Sequence, residues 1–235
     1  ALAAAFVPVA LFGPRRILSQ FGVVAPVLLI VTIFCTWTEG LIFVPAIQQH
    51  MFRNLIGGLV AYAIVAAVLA ALAGLLKLPR EGEAGPALRS APMMVLMVAV
   101  CGVAYLLYYY VFGGITFFFF TKAYYPQATQ ETLRLGLWFP GLQFGRGVLM
   151  TLALLPVIRT LRVSRAQAAI AVGVLIWVAG GLSPLLVPNA FMGATQRFIH
   201  IIEIFTQNAS LGVTAALLLR RGPGLKRAES PAVSL

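Results

Sequence analysis

The 235-residue chain contains no aspartate, two histidines and two cysteines. Those scarcities exclude several chemistries. Carboxylate-bridged metal pairs draw on more Glu and His than this chain offers, and a bis-histidine haem needs two histidines at matching depth, whereas His50 falls near the end of an apolar run and His200 inside one. Cys35 and Cys101 both lie within apolar runs, where free cysteine behaves as a small hydrophobe, so neither a disulfide framework nor a thiolate metal cluster is expected. No HExxH, Walker loop, glycine-rich dinucleotide loop or GxSxG elbow occurs, which leaves zincin, nucleotide-driven and serine-hydrolase readings without support. Polar blocks long enough for a soluble domain are also missing. The net charge of +11 is scattered between apolar runs and forms no patch on a nucleic-acid fold signature, so no nucleic-acid partner is expected.

What the chain has in abundance is apolar sequence. It is 61% hydrophobic and 10% charged, with a mean hydropathy of +0.96. Several uninterrupted apolar runs exceed the roughly 18 residues that read as a membrane span. Six spans are predicted, at residues 20–45, 55–76, 92–113, 138–158, 168–187 and 191–219. The expected fold class is all-α: a polytopic transmembrane bundle forming a single domain over residues 1–221, with a disordered tail at 222–235. Residues 1–12, "ALAAAFVPVALF", are apolar but too short to span. They read as the end of an earlier helix, a surface segment or the remnant of a trimmed N-terminus. A cleaved signal peptide is disfavoured because "PRR" follows the apolar run instead of preceding it.

Basic residues set the expected orientation. One side of the six-span layout receives Arg15, Arg16, Lys77, Arg80, Arg89, Arg159, Arg162, Arg165, Arg220, Arg221, Lys226 and Arg227, and the other Arg53, Lys122 and Arg134. Twelve against three places both termini in the cytoplasm by the positive-inside rule, and the inner (cytoplasmic) membrane is the expected location. The stretch "FFFFTKAYY" then falls at the outer interface and reads as an aromatic belt.

Two basic and two acidic residues fit no loop. Arg146 and Arg197 lie about 12 and 9 Å inside the outer ends of their spans at the helical rise of 1.5 Å per residue, and Glu39 and Glu203 about 9 and 18 Å inside theirs. A charge left facing lipid costs a few kcal/mol or more, so such residues turn inward and find partners. Arg197 is near enough to the interface to snorkel. On the last span Asn189, Gly193, Gln196, His200, Glu203, Gln207, Ser210 and Thr214 follow alternating steps of four and three, which is one helical face. The first span offers Thr32, Cys35 or Thr36, and Glu39 at the same spacing. The fourth offers Gln143, Arg146 and Gly147, with Gly141 and Gly145 as a small-xxx-small pair for close backbone approach. Tyr105, Tyr108 and Phe112 share a face of the third.

The expected site is therefore a ligand or ion pocket of Glu39, Arg146, His200, Glu203, Gln196 and Gln207 in the outer half of the bundle. Two carboxylates and one guanidinium leave it net negative, able to hold a proton, a cation or a protonated His200. Metal binding is a weaker option. His200 and Glu203, one turn apart, are candidate ligands and Glu39 a possible third.

The segments "TEGLIF", "YYYVFG" and "RFIHIIEIFTQN" together resemble a class of small bacterial polytopic membrane proteins with no assigned activity. The resemblance implies the six-helix layout and a shared Glu, His and Glu set but no activity, and the cofactor is left unknown. Three functions stay open. The first is a pocket for a proton, ion or small or lipid-like ligand, used in transport or sensing. The second is an accessory subunit whose polar stripe docks membrane-protein partners or a second copy. The third is a membrane enzyme using His200 and Glu203 as metal ligands or as acid and base.

Overall fold

The computed structural model describes residues 1–12, 14, 16–44, 48–75, 86–188 and 192–221, which are all-helical, without strands. The helices are α1 Leu2–Phe12, α2 Ile17–Phe43, α3 Met51–Leu75, α4 Ala91–Thr121, α5 Ala128–Leu135, α6 Trp138–Thr160, α7 Arg165–Leu186 and α8 Ala194–Leu219. Six of these, α2, α3, α4, α6, α7 and α8, are long and apolar enough to cross a membrane, which fits a multi-pass membrane protein. The tail at 222–235 lies outside the described residues.

The N-terminal apolar segment is a short helix packed on the bundle. Ala5, Phe6 and Val9 are buried in the core, and Gln20 of α2 donates to the carbonyls of Val9, at 3.3 Å, and Pro14, at 2.6 Å. The largest departure from the predicted spans is α4, which continues through Gly113–Gly114 to Thr121 instead of stopping at 113. Gly113 and Gly114 read as a helix end in sequence, but the apolar run "ITFFFF" beyond them carries the helix on. The polar loop after α4 also contains α5, where Glu131 of the first turn pairs with Arg134 of the last at 3.0 Å.

Gly141 and Gly145 do not bring a neighbouring backbone close, since a Cβ at either would meet no described atom within 4 Å. The close approach in α6 falls at Gly147 instead, where a Cβ would sit 2.6 Å from Tyr105 Cβ and 3.0 Å from Gly102 Cα of α4. Spacing alone does not say which of the three glycines in "GLQFGRG" faces a partner. An equivalent crossing joins α7 and α8, where a Cβ on Gly212 would lie 2.8 Å from Gly173 Cα.

Several spans contain π-helical turns: Val27–Cys35 in α2, Tyr109–Gly113 and Phe117–Thr121 in α4, Val178–Leu182 in α7 and Phe205–Ala209 in α8. In α2 the widened stretch comes directly after Pro26, which lacks the N–H that would hold the preceding turn. Carbonyls loosened by such turns need other donors. Thr32 Oγ1 supplies one to Ala179 O at 2.8 Å, and Trp177 Nε1 donates to Ile201 O at 3.1 Å. The π turn in α8 inserts a residue and rotates the remainder of the helix by about 100°. Leu211 and Ala215 are fully buried beyond it, while Ser210 and Thr214 are half-buried. The polar face read from uniform three- and four-residue steps therefore stops being one face at Gln207. Its first member, Asn189, lies outside the described residues.

At the end of the bundle where α6 and α8 finish, arginines cap helix carbonyls. Arg165 Nε donates to Leu217 O at 3.1 Å, Arg89 Nε donates to Leu218 O, and Arg220 donates to Leu161 O, to Val163 O at 3.0 Å and to Ser164 O at 3.2 Å. Helix C-termini leave unpaired carbonyls with partial negative charge, and guanidinium groups answer both needs. At α7 the Ser164–Gln167 capping box closes the N-terminus. Three of the arginines that bias the charge count thus also terminate helices.

Candidate functional site

The opposite end of the bundle, where α4 stops and α6 and α8 start, holds a partly open cavity of about 520 Å³. Glu39, Arg146, His200, Glu203 and Gln207 all line it. Each π turn contributes to its wall: Val31 and Cys35 from α2, Tyr109, Gly113 and Phe117 from α4, Gly180 from α7, and Gln207 and Asn208 from α8. A π turn opens the backbone spacing and re-aims side chains, which is why such turns gather at functional sites.

Two hydrogen-bonded clusters form the polar surface. In the first, Arg146 Nη2 donates to Glu39 Oε2 at 2.9 Å, Arg146 Nη1 donates to Gln143 Oε1 at 2.7 Å, and Tyr109 Oη donates to Glu39 Oε1 at 2.9 Å. The guanidinium is 6% exposed and sits 5.7 Å from the Tyr105 ring centroid and 5.9 Å from that of Tyr109, within cation–π range. Among the described residues, its Nε–H and the amide nitrogen of Gln143 have no hydrogen-bond partner.

In the second cluster His200 Nδ1 lies 2.7 Å from Glu203 Oε2, Gln207 Nε2 donates to Glu203 Oε1 at 3.0 Å, and Tyr125 Oη lies 2.9 Å from His200 Nε2. The contact with Glu203 fixes the tautomer: neutral His200 carries its proton on Nδ1, donates to the carboxylate and accepts from Tyr125 at Nε2. Burial pushes the Tyr125 phenol up to about 12, so it stays protonated and serves as donor at neutral pH. Gly113 packs against this cluster, because a Cβ there would lie 3.1 Å from Gln207 Nε2 and 3.2 Å from Glu203 Oε1.

The structure therefore joins Glu39 with Arg146 and His200 with Glu203, and places both pairs on one cavity. Gln196 does not line it; this buried side chain stands behind Tyr125 and hydrogen-bonds to it. Arg197 is half-buried and does not line the cavity either. The metal option loses its third ligand, because Glu39 is held by Arg146 and Tyr109, and no group of three metal-ligating side chains occurs among the described residues.

Two tyrosines of the candidate site were not visible as such in the sequence. Tyr125 read as part of an aromatic belt, yet its hydroxyl reaches His200. Tyr109 lies one turn after Tyr105, and that i,i+4 spacing was the available signal. Of the face Tyr105, Tyr108 and Phe112, Tyr105 lines the cavity, while Tyr108 pairs with Thr214 at 2.9 Å.

Compared with known proteins, the chain matches no family model, no curated protein and no solved structure.

Proposed function

We propose that the chain is a multi-pass protein of a bacterial inner (cytoplasmic) membrane, with both termini in the cytoplasm. Its cavity faces outward and binds a small amphipathic ligand in linkage with a proton, as the ligand-handling part of a transporter or sensor. The observation that carries this reading is the meeting of Glu39, Arg146, His200 and Glu203 from three spans around one partly open cavity. A network meant only to lock helices together would close on itself. Here a cavity of about 520 Å³, within the size range of small-molecule pockets, remains beside it.

The linkage can be tested by thermal denaturation in nanodiscs with a panel of small amphiphiles, below and above the pH range in which histidine ordinarily changes charge. A ligand that stabilises the native protein is expected to do so by different amounts at the two pH values, and His200→Gln is expected to abolish that difference. An equal pH difference in the variant, or no stabilising amphiphile in the panel, would count against the proposal.

Orientation has its own test. A reporter fused after Arg227 should be cytoplasmic and one inserted near Gln127 should be outside. Both reporters on one side would overturn the six-span topology.

A second reading, that of an accessory subunit, draws support from α3. Of this helix only Ala66 and Ala70 are buried, and Ile56, Val60, Ile64, Val68 and Leu72 form an exposed apolar ridge. Co-purification of a stoichiometric membrane partner, lost when the ridge carries polar residues, would favour it.

A further inference from the structure

We infer that the cavity selects amphiphiles whose head group carries a positively charged amine, and that such molecules enter sideways from the bilayer. This deepens the ligand-binding reading above and rests on it.

The charge argument begins at Arg146, whose guanidinium is neutralised by Glu39 at 2.9 Å. With His200 neutral, Glu203 is then the uncompensated charge on the cavity wall. Each Glu203 oxygen accepts one protein hydrogen bond, Oε2 from His200 and Oε1 from Gln207. A carboxylate offers about four acceptor positions, so two remain for ammonium N–H groups. Glu203 is 14% exposed, and there a charge-assisted hydrogen bond is screened far less than in water. The rings of Tyr105, Tyr109 and Phe139 also line the cavity and add apolar surface beside the carboxylate.

A second feature concerns anionic heads: the Arg146 guanidinium is committed to Glu39 and Gln143, so it does not recruit them. Anionic heads are opposed by Glu203, and purely hydrocarbon ligands leave its carboxylate without a cation.

Exposure of the wall residues sets the route of entry. Tyr110 and Phe118 of the spanning helix α4 line the cavity and are also 46% and 69% exposed. Apolar and aromatic side chains at a mouth favour arrival from the lipid over arrival from water.

Proton linkage then has a defined sign. The groups that face His200 are Glu203 and Gln207 on α8, Tyr125 after α4, and, across the cavity, Tyr109, Glu39 and Arg146. Protonated His200 cancels the Glu203 charge, so ammonium binding should weaken as pH falls and binding should release a proton.

The experiment uses the full chain in nanodiscs and three probes of equal chain length: N-decylethanolamine, neutral decanoyl ethanolamide and anionic decyl sulfate. Empty discs correct for partitioning. The amine is expected to bind at least about tenfold more tightly than either other probe, and Glu203→Gln to bring the ratio of amine to neutral-probe affinity close to one. The amine's advantage should also shrink at acidic pH in the native protein, a readout that needs no variant to fold. Equal binding of the amine and the neutral probe would overturn the selectivity and leave the ligand-binding reading standing. No binding of any probe above empty discs would overturn both.

Discussion

Replacing Arg146 with Leu should lower the stability of the folded protein by about 3 kcal/mol. That value is the lower end of the range for removing one member of a buried ion pair. The lower end applies because Glu39 is 34% exposed and keeps part of its hydration, while the guanidinium it loses is almost wholly buried. Tyr109 and Gln143 would each lose part of their polar surroundings as well. The double variant Glu39→Gln/Arg146→Leu should recover more than half of the loss, because it leaves no stranded carboxylate. Equilibrium unfolding in mixed micelles would measure both. A double variant as damaged as Arg146→Leu would mean that the two side chains are not energetically paired.

Gly212→Leu should prevent assembly of the bundle. A Cβ at 212 would lie 2.8 Å from Gly173 Cα, 2.8 Å from Val172 O and 2.8 Å from Ile176 Cγ2, and two of those atoms are backbone that cannot swing aside. Inserting a side chain into a well-packed core costs about 1 to 3 kcal/mol even where neighbours yield. Here α7 and α8 must separate, so the cost should exceed that range and a monodisperse folded species should be lost on gel filtration. Gly57→Ala is the control. Nothing lies within 4 Å of a Cβ at Gly57, and in a helix interior alanine is the better helix former by roughly 1 kcal/mol. A Gly212→Leu protein as well folded as this control would show that the α7–α8 crossing is not close.

The spans were legible because apolar runs of this length have few alternatives in a chain with so little charge. The inward turn of Glu39, Arg146, His200 and Glu203 was legible for the same physical reason, the cost of a charge facing lipid. The one-turn spacing of His200 and Glu203 also made their meeting legible, but which carboxylate Arg146 takes was not. Depth along a span does not fix rotation about its axis, and here rotation depends on π turns that add residues without any compositional mark. Those turns end the polar face of α8 at Gln207 and bring Tyr109 to Glu39. Tyr125 was hidden differently: an aromatic residue in an interfacial loop has the same composition whether it faces headgroups or, as here, a histidine in the bundle. The glycine crossings at 102/147 and 173/212 were ambiguous because many glycines satisfy small-residue spacing and only packing selects among them.

The central claim, that the cavity binds its ligand in exchange with a proton at the His200–Glu203 pair, is tested most directly by calorimetry. The amphiphile that stabilises the native protein most should be titrated in two buffers of different ionisation enthalpy, at about pH 6.5, the ordinary midpoint of histidine. Native protein should show a buffer-dependent heat that reports proton exchange on binding, and His200→Gln protein should bind with no such dependence. Binding to the native protein without proton exchange, or identical exchange in the variant, would contradict the account.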